Sequence, residues 1–254
     1  MENSIATLKK TARLAGLLYL VLILTAIYAH MYVPSQIFVR GNAVATTNNI
    51  LQNEFLFRTC VVVNLVEVTV FLFLVLVLYR LFKGVNHHLA RVMVAFVGAQ
   101  IPVVFVLAAF KITALMIVTG DVTASFAPVS QPEQAMLFLK MNEYGMMALE
   151  LLWGLWLFPF GMLVYRSRFI PRLLGALLVL AAIGYTLGSL TYMLFPLYHS
   201  QTQVVAFICS GIGEISIMFW FLIKGVKKHI TIEVESERIT AVPPSAVMPG
   251  LYTK

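Results

Sequence analysis

Six apolar stretches dominate this chain, and each is long enough to cross a lipid bilayer. A helix needs about 20 apolar residues to span the hydrocarbon core, and runs of that length alternate here with short polar connections. The sequence therefore predicts an all-α protein, a polytopic transmembrane helical bundle. The predicted spans cover residues 14–33, 58–82, 92–118, 146–165, 173–195 and 204–223.

Composition agrees with this fold class, because 60% of the 254 residues are hydrophobic and only 11% are charged. A soluble domain carries roughly a quarter charged residues. Six spans and their loops leave no room for a separate soluble domain, so residues 1–229 are expected to form one transmembrane domain. Residues 230–254 are polar and rich in proline, and we expect a disordered cytoplasmic tail.

Lysine and arginine fall on every second connection, which predicts the orientation of the bundle. Twelve lie near the ends of spans on one side: Lys9, Lys10, Arg13, Arg80, Lys83, Arg91, Arg166, Arg168, Arg172, Lys224, Lys227 and Lys228. The other side has only three: Arg40, Arg58 and Lys140. Cytoplasmic loops carry the excess of basic residues, so both termini are predicted to be cytoplasmic.

The net charge of +7 does not indicate nucleic acid, because the basic residues form no single patch and no nucleic-acid-binding motif is present. We expect them to meet anionic lipid headgroups at the cytoplasmic loops. The start of span one resembles a signal peptide, but its apolar run is long for one. Ile27 also stands where cleavage after Ala29 would need a small residue. We expect the span to be retained.

Two short helices are predicted on the outer side of the bundle. Asn42 can cap a helix that runs through Glu54 and straight into span two, with Glu54 and Arg58 paired at i,i+4. Ser130 and Glu133 form a capping box that opens a helix continuous with span four. Pro102 and Pro159 lie inside spans and are predicted kinks.

Four charged residues interrupt the apolar spans: Glu67, Lys111, Glu150 and Glu214. At 1.5 Å per residue, the first three lie in the outer half of the membrane and Glu214 lies near its midplane. A charge at the centre of a bilayer costs about 2.5–3.5 kcal/mol on insertion scales. Such residues persist when they face the interior of the bundle, and Asn64 shares the face of Glu67 one turn outward.

Two interpretations of these charges stay open. They can join helices, for example through a Glu67–Lys111 pair, or they can bind a cation, a proton or a small polar ligand. In the second case Glu67, Glu150 and Glu214 would bind the ligand and Lys111 would be the counter-charge, while Arg58 and Glu143 would line the mouth.

Other chemistry lacks support in the sequence. We place His87, His88 and His229 in the cytoplasm and His30 and His199 outside, so they do not converge on a metal. No nucleotide-binding or serine-hydrolase motif is present. We expect no cofactor, no metal and no catalytic residue, and an enzyme is the less favoured class.

Three stretches resemble one known family. They are the segment from Ala12 to Tyr19, the outer helix from Asn49 to Arg58, and the longest, from Gly154 to Gly161 and on through Arg166 and Arg172 to Tyr185. Together they resemble domain of unknown function 4386, a family of bacterial and archaeal six-helix membrane proteins, over about residues 10–225. The resemblance implies the plasma membrane and no assigned activity.

We therefore expect a multi-pass membrane protein that binds and translocates a small solute or ion through an outward-facing acidic cavity. The alternative is a structural, sensor or interaction subunit whose buried charges are interhelical ion pairs. A lipid-modifying enzyme is a third, weaker class.

Overall fold

The computed structural model describes residues 2–122 and 129–226, with side chains from residue 6. Lys227, Lys228, His229 and the predicted tail, 230–254, lie outside the described residues. The α-helices are α1 (Glu2–Ala26), α2 (Val33–Ile37), α3 (Ala43–Gln52), α4 (Glu54–Phe82), α5 (His87–Thr119), α6 (Gln131–Arg166), α7 (Arg172–Leu194) and α8 (His199–Ile223). A π-helical turn, Ile27–Tyr32, joins α1 to α2, and a 3-10 turn, Pro196–Tyr198, precedes α8.

The six predicted spans are confirmed as long apolar helices. The first is Ala6–Ile37, which combines α1, the π-helical turn and α2, and the last is Pro196–Ile223. The four between them are α4, α5, α6 and α7. Most of them extend beyond the predicted bounds, because polar turns of helix continue past the apolar core.

The spans form a closed ring in chain order. α1 packs on α4, α4 on α5, α5 on α6, α6 on α7 and α7 on α8, and α8 returns to α1. The short helix α3 packs against α4, α5 and α6 and covers one end of the ring. An interior space surrounded by all six spans follows from this order.

Both described ends of the chain lie at the same end of the ring, as six spans require. Gly225, in the left-handed conformation with φ 66°, lies so close to Lys9 that a Cβ on it would come within 3.2 Å of the Lys9 side chain. We call this the termini end and the opposite end, where α3 lies, the far end. That the termini end is cytoplasmic stays a prediction of the basic-residue count.

The predicted helix starts are confirmed. Asn42 Oδ1 accepts a hydrogen bond from the backbone N–H of Ala45 at 2.9 Å, and the capping box of Ser130 and Glu133 is present. The prediction that the Asn42 helix runs straight into span two is wrong in one detail. Asn53 leaves the helical conformation, with φ −123° and ψ 40°, and separates α3 from α4.

Glycine allows α6 and α7 to touch along their backbones. A Cβ on Gly161 would lie 2.9 Å from the carbonyl oxygen of Gly175, and one on Gly154 would lie 2.7 Å from the carbonyl oxygen of Ala182. Small residues on α6 thus let the neighbouring helix approach closely.

Two packed layers close the ends of the ring. The layer at the termini end is built around Tyr19, Leu78, Phe82, Phe160 and Phe221. The layer at the far end contains Ile37, Ile50, Phe57, Leu115 and Leu139. Between these layers the helices do not meet in the middle, and the space there is a cavity.

Candidate functional site

A cavity of about 670 Å³ occupies the middle of the bundle. Its walls are mostly apolar, but Asn64, Glu67, Glu150 and Glu214 all line it. The structure therefore brings three carboxylates from α4, α6 and α8 to one space. Each of the three has different partners, and these partners decide what each can do.

Glu67 is paired with a histidine. Its Oε2 lies 3.0 Å from Nε2 of His30 and accepts a hydrogen bond from Nδ2 of Asn64 at 3.3 Å. His30, which the sequence analysis placed on the outer side, belongs to the first long apolar helix and lines the cavity. The predicted partner of a carboxylate, Lys111, does not take part in this pair.

The π-helical turn places His30 in the cavity wall, and Pro34 explains the turn. Proline has no N–H to donate to the carbonyl four residues earlier, and its ring collides with that carbonyl in a regular α-helix. A wider turn before Pro34 relieves the collision, and the N–H of Val33 reaches back five residues to the carbonyl of Tyr28. Such turns are frequent at functional sites.

Glu214 has both carboxylate oxygens occupied. The hydroxyl of Tyr19 donates to its Oε2 at 2.8 Å, and the hydroxyl of Tyr185 donates to its Oε1 at 3.0 Å. Tyr19 is fully buried. These bonds tie α1, α7 and α8 together, so Glu214 has the surroundings of a structural carboxylate.

Glu150 is the carboxylate with an unused oxygen. It is 2% exposed, and its Oε1 accepts a hydrogen bond from Nε2 of Gln203 at 3.2 Å. Its Oε2 and the Oε1 of Gln203 are both buried and have no hydrogen-bond partner. Two buried acceptors without donors therefore belong to one hydrogen-bonded pair of residues that lines the cavity.

Gly188 makes room for this pair. A Cβ at that position would lie 3.1 Å from Oε1 of Gln203 and 3.6 Å from Oε1 of Glu150. The absence of a side chain on α7 is therefore what lets the Glu150–Gln203 pair lie against that helix.

Three predicted site residues lie elsewhere. Lys111 is 7% exposed, and its Nζ is 3.9 Å from Sγ of Cys60, with no carboxylate of the described residues within ion-pair distance. Arg58 pairs with Glu54 at 2.7 Å, as predicted, and Glu143 pairs with Lys140 at 2.8 Å. Both of these pairs are on the exposed surface, and none of the three residues lines the cavity.

The lining residues that sequence reasoning missed include His30, Gln203, Tyr185 and Trp153. Trp153 follows Glu150 by three positions on α6, so helical periodicity could have placed it on the same face. For His30 the available signal was Pro34, because a proline inside a span indicates a widened turn just before it. Gln203 lies just after the first turn of α8, and a polar residue so close to the start of a span is easily assigned to the preceding loop.

The described residues contain no group of three or more His, Cys, Asp or Glu side chains that could hold a metal ion. No Lys or Arg of the described residues lines the cavity. The site is thus an acidic patch in an apolar enclosure, and it is suited to a positively charged occupant.

The opening of the cavity lies between α1 and α8. Lining residues that are also exposed are Ile27 and Met31, on the π-helical turn that continues α1, and Phe207 and Ile215, on α8. The same two helices are in close contact at the termini end, where a Cβ on Gly16 would lie 2.8 Å from the backbone N of Leu222. The two helices thus close one end of the gap.

The ring of six apolar spans around this cavity defines a multi-pass integral membrane protein. The chain belongs to the family described as domain of unknown function 4386, which matches residues 14–225. It is similar to an uncharacterized protein of the archaeon Archaeoglobus fulgidus, 38% identical over 74 residues. That alignment covers 29% of this chain and 42% of the relative. No solved structure matches the chain.

Proposed function

We propose that this protein binds a cation in its central cavity and carries it across the membrane. One observation supports the proposal above the others: Glu150 is buried, faces the cavity and has an oxygen with no hydrogen-bond partner. A buried polar group without a partner costs about 1–3 kcal/mol. A bound cation would remove that cost.

The surroundings of Glu150 agree with this function. No described Lys or Arg lines the cavity to neutralise it, and His30, the basic side chain that does line it, lies against Glu67 rather than Glu150. Intramembrane carboxylates that face a cavity commonly mark ion or substrate pathways. In this proposal the cavity opens outward, and Pro102 in α5 and Pro159 in α6, the predicted kinks, are the points at which the helices would bend to open and close it.

A structural role is the second candidate, and it is favoured for two of the three carboxylates. Glu214 is held by two tyrosines and Glu67 by His30 and Asn64. These two residues would then stabilise the bundle, while Glu150 binds the ligand.

Thermal stability of the detergent-purified protein tests the proposal. We would measure melting temperature across pH and a panel of inorganic and organic cations for wild type, Glu150→Gln and Glu143→Gln. A ligand at 100 times its dissociation constant stabilises a protein by about 2.7 kcal/mol. We expect a cation-dependent rise in wild type and in Glu143→Gln, whose carboxylate is outside the cavity, and none in Glu150→Gln.

Translocation needs a second measurement, the flux of the stabilising cation into proteoliposomes. Flux with wild type and its loss in Glu150→Gln would support transport. Binding without flux would restrict the function to sensing or storage. No stabilisation by any cation would contradict the proposal.

A further inference from the structure

The walls around the acidic patch offer more than charge, and they limit the kind of cation that fits. The cavity volume of about 670 Å³ lies within the range of about 300–1,000 Å³ that is typical of small-molecule sites. A bare inorganic ion would leave most of this space empty.

The polar atoms that need a partner are both acceptors. Oε2 of Glu150 and Oε1 of Gln203 have no donor, and the Gln203 amide, which carries two N–H donors, gives one of them to Oε1 of Glu150 at 3.2 Å. A ligand that satisfies both must bring at least two donors. A primary ammonium group carries three N–H donors and no acceptor, whereas a hard divalent cation prefers six or more oxygen ligands.

The remaining wall is suited to an apolar or aromatic body. Trp153 lies one helical turn from Glu150 and makes an edge contact with Tyr185, with ring centroids 5.8 Å apart. Trp156 and Phe71 continue the wall, also edge to face, at 4.9 Å. Aromatic faces near a cation add cation–π attraction.

The opening of the cavity between α1 and α8 is also apolar. Ile27, Met31, Phe207 and Ile215 are apolar, exposed and on the cavity lining between α1 and α8. An amphipathic amine can enter past such side chains, whereas a hydrated inorganic ion would meet no polar group among these four.

We propose that the ligand of this cavity is an organic primary amine in its ammonium form, with an aromatic or branched apolar body. The ammonium donates to Oε2 of Glu150 and Oε1 of Gln203, and the body packs against Trp153 and Trp156. The proposal rests on the cation-binding function above and assigns its substrate class.

Binding of three matched probes to the full-length protein in detergent tests this assignment by titration calorimetry. The probes are 2-phenylethylammonium, its N,N,N-trimethyl analogue with the same charge and no N–H, and the neutral 2-phenylethanol. A hydrogen bond to a charged group contributes about 1.5–3 kcal/mol. We therefore expect the primary ammonium to bind roughly ten- to a hundredfold more tightly than either analogue.

Three variants locate the site. Glu150→Gln should weaken 2-phenylethylammonium binding about tenfold or more, to the level of the neutral probe, while Glu143→Gln should bind like wild type. Gly188→Ala removes no polar group but places a methyl 3.1 Å from Oε1 of Gln203. It should therefore weaken the binding of the primary ammonium more than the binding of the trimethyl analogue. Size-exclusion profiles and circular dichroism confirm that each variant is folded.

The outcomes separate this assignment from the function on which it rests. Equal binding of the trimethyl analogue or of the alcohol would overturn the ammonium assignment. Glu150-dependent stabilisation by sodium, potassium or protons alone, without amine binding, would overturn the assignment and leave cation binding in place. No effect of any cation would overturn both.

Discussion

At the scale of single residues, the two tyrosines that hold Glu214 should stabilise the fold. Tyr19→Phe removes a 2.8 Å hydrogen bond to Oε2 of Glu214 and leaves that oxygen without a donor. We expect a loss of about 1–2 kcal/mol in the free energy of unfolding, measured by thermal melting in detergent. Tyr198→Phe is the matched control, because that ring is 64% exposed. If both variants melt like wild type, the hydrogen bond from Tyr19 to Glu214 contributes nothing to stability.

Lys111 leads to a prediction of opposite sign. Its ammonium is buried in the far-end layer, and the one partner described for it is a thiol at 3.9 Å. A charge that is buried without a counter-charge has a desolvation cost that nothing repays, and an apolar side chain of similar length removes that cost. Lys111→Met should therefore keep or raise the melting temperature and bind ligand normally.

Lys111→Ala controls for volume, since it removes the charge but also leaves a cavity. It should melt below Lys111→Met. A Met variant that is much less stable than wild type would show that the ammonium makes a contact more important than the thiol.

At the scale of elements, the contact between α6 and α7 depends on glycine. A Cβ on Gly175 would lie 2.6 Å from the backbone N of Tyr165, and backbone atoms cannot move aside as a side chain does. Gly175→Ala should lower the stability by about 1–3 kcal/mol. Gly98→Ala, on α5 with no atom within 4 Å of its Cβ position, should be neutral or slightly stabilising. Equal melting of the two variants would mean that α6 and α7 are free to separate.

The elements also show what the sequence can predict about this fold. Spans, caps and the capping box follow from local patterns, and Asn42, Ser130 and Glu133 do what their positions predict. The π-helical turn was missed because it depends on the strain that Pro34 imposes on the preceding turn. The break at Asn53 has no signal as strong as Gly or Pro.

In the candidate site, too, some features follow from local sequence patterns and others depend on how the helices pack. Four predicted residues line the cavity, Asn64, Glu67, Glu150 and Glu214, because a charge inside a span must face the interior. Counting residues gives the depth of a side chain but not the direction in which its helix face points. Lys111 has the right depth and faces Cys60 in the packed far-end layer instead.

At the scale of the whole molecule, the side from which the cavity is entered depends on the orientation of the bundle. Gln203 lies one turn after the start of α8, so the acidic patch is near the end of the bundle where Ser200 lies. The excess of basic residues predicts that this end faces outward. Single cysteines in a background of Cys60→Ala and Cys209→Ala can test it.

Ser200→Cys and His88→Cys place thiols at exposed positions on opposite ends of the bundle. A membrane-impermeant maleimide added to intact cells should label Ser200→Cys, and it should label His88→Cys only after the membrane is opened. The reverse pattern would put the termini outside and place the acidic patch nearer the cytoplasmic face. The cation would then enter from the inside, and the flux assay would have to load it there.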